Sequence, residues 1–363
     1  MGRKGVISGL SRFVSRGFDT SEDLSQAAAE AATLQPSLTA NAAASDKDED
    51  IRPKKRRKTG LLGPGREEVD ATGLAPFYVD ALEVPDHLQK YFSQRERYFS
   101  LYSSGCLLDE EGWYSVTPER VADQIAERCR CGVIVDAFCG VGGNAIAFAR
   151  TCERVIAIDN SPVRLALARH NAAIYGVADR IEFIIADFLS FARTLAEIQD
   201  FHNSSQRTDE AATETSSLTS STKSRKIDVV FLSPPWGGPS YLTDTLPTAN
   251  GVKAEVAAQP ASTQLAEYSL ASIKPVHGKE LFQLARRLTR NVAYFLPRNV
   301  NLEEVASLVR EEAQAEGNGN ADSTTRQDDD VEMVEVEEEW MGSKLKALTC
   351  YFGGLVSGQE NLF

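Results

Sequence analysis

The segment Val135-Asp136-Ala137-Phe138-Cys139-Gly140-Val141-Gly142-Gly143-Asn144 leaves an apolar run, Val133 to Val135, and enters a helix-like run, Asn144 to Cys152. Three glycines within four residues let the backbone approach a ligand closely and turn a helix N-terminus toward it. Beyond this turn, Val155 to Ile158 reads as a second strand ending in Asp159, and Ile181 to Ile185 as a third before Asp187. Ile227 to Leu232 is a fourth, before Ser233, and Val292 to Leu296 a fifth. Between the second and third, Ser161 offers an N-cap, Pro162 suits the first helical position and Gly176 closes the helix in left-handed geometry. A further helix is expected around Lys279 to Leu288. Strands and helices alternating at this spacing imply right-handed crossovers and a parallel sheet covered on both faces. Lys346 to Val356 alternates and is β-branched, so it is read as adding an antiparallel hairpin.

The glycine turn has two readings. A dinucleotide fold also follows its first strand with glycines, but at G-x-G-x-x-G spacing, and pyrophosphate makes a carboxylate beside the turn unwelcome. Here the spacing is G-x-G-G and Asp136 stands just before it. An acid there suits a ligand bearing an amine, as S-adenosylmethionine does. Asp159 suits ribose hydroxyls and Asp187 an adenine amino group, each at the carboxyl end of its strand, where such sheets bind ligands. A carboxylate at a strand end is also a common helix cap; all three in succession favour the cofactor.

The fourth strand is followed by Ser233-Pro234-Pro235-Trp236-Gly237-Gly238-Pro239. Two prolines fix a rigid extended turn without N–H groups, so neighbouring carbonyls can face a site. A small polar residue, two prolines and an aromatic is the arrangement of methyltransferases acting on exocyclic amines of bases. The Ser233 hydroxyl and Pro234 carbonyl accept from such an amine, and Trp236 lies against the base. Indole gives the strongest cation–π face, which points to a guanine made cationic by N7 methylation, that is, a cap. Ahead of the core, Lys90-Tyr91-Phe92-Ser93-Gln94-Arg95-Glu96-Arg97-Tyr98-Phe99 interleaves bases with aromatics. It reads either as a single-strand binding surface or as an amphipathic helix packed on the core.

The 363 residues hold 39 Lys+Arg against 52 Asp+Glu, a formal charge of −13. At face value this opposes a nucleic-acid substrate. Glu311 to Trp340, however, holds twelve acids and one Arg, so −11 of the −13 is local and about −2 remains for the rest. No apolar stretch suits a membrane span, and the basic start has no h-region of a secretory signal. Six cysteines without C-x-x-C or zinc spacing read as reduced thiols, and no metal site is expected. Residues 1–60 read as a disordered arm ending in the import-like run Arg52-Pro53-Lys54-Lys55-Arg56-Arg57-Lys58. Residues 61–130 are read as a linker and small helical N-terminal extension, and 131–363 as a catalytic core. The core is interrupted by flexible insertions at 203–224, where twelve of 22 residues are Ser or Thr, and at 311–335.

Three blocks together resemble the trimethylguanosine synthase family: Lys90 to Glu119 (KYFSQRERYFS, then DEEGWYSVTPE), VDAFCGVGGNAIAFA from Val135, and SPPWGGPSY from Ser233. The likeness spans about residues 86 to 310 and the C-terminal hairpin, not the arm or the insertions. It implies a Rossmann-like class I S-adenosylmethionine-dependent methyltransferase, α/β, with a mostly parallel seven-stranded sheet. It implies a monomer that converts the 7-methylguanosine cap of small nuclear and nucleolar RNAs to 2,2,7-trimethylguanosine in the nucleus or nucleolus, with ribonucleoprotein core proteins as potential partners. By resemblance Thr117, Asp136, Gly140, Gly142, Asp159, Asp187, Ser233 and Pro234 line the cofactor site, with Phe99 at its edge. Trp236 stacks on the methylated guanine, and Lys90 and Tyr241 hold the cap phosphates. The alternatives are a methyltransferase for an internal guanine or adenine amine and a non-catalytic cap-binding protein.

Overall fold

The computed structural model describes residues 10–13, 60–209, 226–237, 267–317 and 332–363. In chain order these form β1 (Leu10–Phe13), the short helices α1 (Gln89–Phe92), α2 (Arg95–Tyr98) and α3 (Glu110–Ser115), then α4 (Glu119–Arg128). Next come β2 (Val133–Asp136), α5 (Gly143–Thr151), β3 (Arg154–Asp159), α6 (Pro162–Ile174), β4 (Ile181–Ile185) and α7 (Phe188–Asp209). The last elements are β5 (Val229–Leu232), α8 (Gly278–Arg286), β6 (Val292–Pro297), α9 (Leu302–Gly317), β7 (Val334–Met341) and β8 (Lys344–Tyr351).

One sheet runs β1-β7-β8-β6-β5-β2-β3-β4. Strands β2 to β6 are mutually parallel, and β8 runs antiparallel between β6 and β7. Every residue of β2, β5 and β6 is buried, as continuous apolar runs between helical layers require. The expected N-cap and stop of α6 are in place: Ser161 accepts from the Arg164 amide, and Gly176 has φ +69°. Two apolar clusters flank the sheet, and half-buried Trp236 packs against both. Among the described residues no helix is long and apolar enough to cross a membrane.

The seven strands expected are β2 to β8, and the N-terminal arm adds an eighth. Leu10–Phe13 pairs parallel with β7, which corrects the reading of residues 1–60 as wholly unstructured. An outer strand presents a row of unpaired backbone groups, and these four residues pair with Val334 to Glu337, half of β7. The remainder of the arm, including the basic run 52–58, lies outside the described residues.

The insertion boundaries also shift. Helix α7 runs to Asp209, seven residues into the Ser/Thr-rich segment, because a helix once nucleated propagates past the end of its apolar pattern. The acidic segment is structured at both ends, by α9 to Gly317 and by β7 from Val334. Glu335, Glu337 and Glu339 are buried strand residues. Arg128 Nη1 reaches Glu335 at 3.0 Å, Tyr351 donates to Glu337 at 3.0 Å, and Thr349 donates to Glu339 at 2.5 Å. A hairpin is present, but the segment Lys346 to Val356 supplies only its second arm, as far as Tyr351, and the first arm, β7, begins in what read as a flexible acidic insertion.

Candidate active site

Strand β2 delivers Asp136 to the carboxyl edge of the sheet, where the chain turns through Gly140 (φ +52°) and Gly142 (φ +92°) into α5. Gly142 is required twice over. Its φ is left-handed, and a Cβ there would come within 3.0 Å of the Ala168 Cβ on α6. The turn is pinned from β3, since Asp159 accepts the Gly140 amide at 3.0 Å and the Ser161 amide at 2.8 Å. Each Asp159 oxygen keeps a second lone pair for a hydroxyl.

Asp136 is fully buried, and neither carboxylate oxygen has a hydrogen-bond partner. Burial pushes its carboxyl up to about 7, with the charge of Asp159 adding to the shift. The amides of Phe138 and Ala145 oppose it without completing a hydrogen bond. A buried, unpaired carboxylate costs several kcal/mol, roughly, unless a cation or donor meets it. The residue chemistry fits an amine-bearing cofactor, and the ammonium group of S-adenosylmethionine is such a partner.

The other cofactor candidates assemble around this edge. Thr117 is buried and accepts from Asn144 Nδ2 at 3.0 Å, which ties the extension to the start of α5. Asp187 is exposed and caps α7, its Oδ2 accepting the Ser190 amide at 3.0 Å and hydroxyl at 2.9 Å. The helix-cap reading of this residue is therefore realised. Phe99 is a core residue, 2% exposed, with its ring 6.1 Å from that of Tyr175.

The second turn lies against the first: the Ser233 hydroxyl donates to the Phe138 carbonyl at 3.4 Å. Pro234 is buried, and the Pro235 carbonyl faces away to accept from the Lys274 amide at 3.4 Å. The Trp236 ring packs on Phe295, centroids 5.1 Å apart, and its carbonyl accepts from Tyr268 Oη at 3.1 Å. Trp236 is thus braced against β6 before any base arrives. Tyr241 lies outside the described residues.

Lys90 is exposed, with Nζ 4.7 Å from the centroid of Tyr91. In the run around it Phe92, Tyr98 and Phe99 are buried, so the core-packing reading holds for its aromatics. The cations tell another story. Half-buried Lys346 is held below the usual lysine range by burial, then by the charges of Lys344, Arg298, Arg97 and Lys90. Five cations from the extension, the end of β6 and the hairpin thus converge, and none has an ion-pair partner among the described residues. The sequence reading missed Lys344, Lys346 and Arg298. The only signal was Lys344-Leu345-Lys346, whose alternation puts both lysines on one side of a strand.

A profile of the RNA cap guanine-N2 methyltransferase family matches residues 131–248 and 260–355. The chain belongs to that family. It is 35% identical over 246 residues to the trimethylguanosine synthase of Schizosaccharomyces pombe, covering 66% of this chain and 83% of that one. It is 30% identical over 232 residues to the trimethylguanosine synthase of Saccharomyces cerevisiae, covering 61% of this chain and 58% of that one. An O-methyltransferase of tomaymycin synthesis from Streptomyces achromogenes is far looser, at 14% identity and TM-score 0.34 over 74% of this chain and 90% of that chain; it adds no argument. As a cap guanine-N2 methyltransferase the chain acts on RNA and takes its methyl group from S-adenosylmethionine.

Proposed function

We propose that this cap methyltransferase converts the 7-methylguanosine cap of small nuclear and nucleolar RNAs to 2,2,7-trimethylguanosine. The observation that carries the reading is the orphaned Asp136 carboxylate beside the Ser233–Trp236 turn. A cation-holding acid and an amine-accepting turn stand side by side at the carboxyl edge of one sheet.

S-adenosylmethionine, when bound, supplies an activated methyl on sulfur. Asp136 would hold its ammonium group and Asp159 its ribose hydroxyls, with Asp187, Thr117 and the turn through Gly140 and Gly142 completing the pocket and Phe99 packed at its edge. The Ser233 hydroxyl and Pro234 carbonyl accept from cap N2 and aim its lone pair along the line of displacement. Alignment and exclusion of water do most of the work, because a sulfonium needs no acid to leave. The proton departs through the Ser233 and Pro234 acceptors to water. Trp236, held by Phe295, stacks on the methylated guanine with about 1–3 kcal/mol of stacking and cation–π attraction. Lys90, Lys346 and Arg298 receive the cap phosphates, with Tyr241 as a further contact.

The test is methyl transfer from labelled S-adenosylmethionine to a 7-methylguanosine cap dinucleotide, with the unmethylated guanosine cap as control and methyl groups counted by mass. Two methyls on the first and none on the second are expected. Equal transfer to both caps would sink the Trp236 argument. The basic run 52–58 supports nuclear import, which its deletion in a fluorescent fusion checks by loss of nuclear signal.

A further inference from the structure

The turn under the cofactor and the extension that brings Lys90 to the cap meet at one buried amide. Asn171, on α6, has no exposed surface. Its Oδ1 accepts the Leu107 amide at 2.8 Å, and its Nδ2 donates to the Leu107 carbonyl at 2.9 Å. The same Nδ2 donates to the Val141 carbonyl at 2.9 Å. Val141 sits between the left-handed Gly140 and Gly142, so this third bond fixes the peptide orientation of the glycine turn. Leu107 opens the segment that passes through α3 to Thr117.

Contacts around this amide stiffen the link. Arg164, about two turns earlier on α6, reaches Asp109 at 3.1 Å and also meets Glu111. Gly112 of α3 rests directly on the turn, since a Cβ there would approach Val141 Cγ1 to 3.0 Å. An amide plane is rigid. A turn displaced from its ligand-ready orientation therefore costs Asn171 a bond to Val141 or carries Leu107 with it, and leaving buried groups unpaired is unfavourable.

We propose that Asn171 is a positioning residue that couples cofactor binding to cap binding, by tying the glycine turn and the cap-facing extension to one side chain. Ordering of the turn by cofactor then also orders the extension, so the second ligand meets a smaller ordering cost. The proposal rests on the cofactor and cap assignments above.

The experiment is calorimetric titration of a 7-methylguanosine cap dinucleotide, with and without saturating S-adenosylhomocysteine, on the full chain. In the wild type the cap Kd should fall about tenfold when the cofactor product is present. In Asn171→Ser the two Kd values should agree within about twofold. His170→Gln is the control for mere loss of stability. His170 is equally buried and bonds Ala71 and Gly105 of the same extension, but not the turn. This variant should lower Tm and keep the ratio. A second readout needs no variant: S-adenosylhomocysteine alone should slow hydrogen exchange at the Leu107 amide. Wild type that binds both ligands independently, an unchanged ratio in Asn171→Ser, or an exchange rate at Leu107 indifferent to the cofactor product would each overturn the coupling. Wild type that binds neither ligand would overturn the site assignment itself.

Discussion

Asp136 and Trp236 were both singled out from sequence, and the fold gives each a physical character that the sequence did not. Asp136 titrates near 7 because it is buried, so below that pH a bound proton competes with the cofactor's ammonium. Affinity for S-adenosylhomocysteine should weaken by about tenfold per pH unit below 7 and level off above it. Asp136→Asn should bind more weakly with no such slope, as titration at pH 6, 7 and 8 would reveal. The ligand-free fold shows the opposite dependence. Its carboxyl is raised from 3.8, so the folded state holds a proton the unfolded chain has lost, and stability falls as pH rises from about 4 to 7. For Trp236→Ala, cap affinity should drop about 10- to 100-fold while cofactor affinity stays within about twofold. A cofactor affinity that falls in step would mean that Trp236 mainly braces the core through Phe295.

At the scale of elements, the helices and strands around the glycine turn were legible because each carried its own punctuation. Asp136 and Asp159 end strands, Asp187 caps α7, Ser161 and Pro162 start a helix, and Gly176 stops it. Strand β7 was not legible. Val334-Glu335-Val336-Glu337-Glu338-Glu339 carries four acids in six residues, and no local rule predicts that three of them are buried. What buries them lies outside the strand: Arg128 and Gln124 on α4, more than 200 residues away, and Thr349 and Tyr351 on the neighbouring β8. Glu339 is pushed up to about 8 by burial, so the folded state keeps a proton between about pH 4.5 and 8 that the unfolded chain loses. Stability supplied by this group is therefore lost as pH rises across that window. Glu339→Gln keeps the shape without the charge. It should raise Tm by about 2–4 °C at pH 8.5, corresponding to about 1 kcal/mol, and change little at pH 5. Thermal unfolding at both pH values checks this.

For the whole molecule, the charge of −13 no longer describes a repulsive surface. Of the acids between 311 and 340, Glu335, Glu337 and Glu339 lie within the sheet and Glu332 pairs with Arg286 at 2.6 Å. The stretch 318–331 contributes only four Asp against one Arg. Deletion of 318–331, which leaves α9 and β7 whole, should therefore raise affinity for uncapped RNA only about twofold at 0.15 M salt. The five converging cations matter more. Lys346→Ala should weaken capped-RNA binding and reduce the slope of log K against log salt by about 0.7, the value for one phosphate contact on a single strand. A slope equal to that of wild type would place Lys346 outside the phosphate path.

The sequence by itself determined the doubly covered α/β sheet, the glycine turn with its acid and the proline-rich turn. Each is written in residues close together in the chain, where backbone conformation and capping act. Tertiary structure alone decided which charges are solvated and which are buried, the gathering of Lys90, Arg97, Arg298, Lys344 and Lys346, and the link from Asn171 to Leu107 and Val141. Desolvation and hydrogen-bond partnership depend on neighbours in space, and here those neighbours lie 10 to more than 200 residues apart.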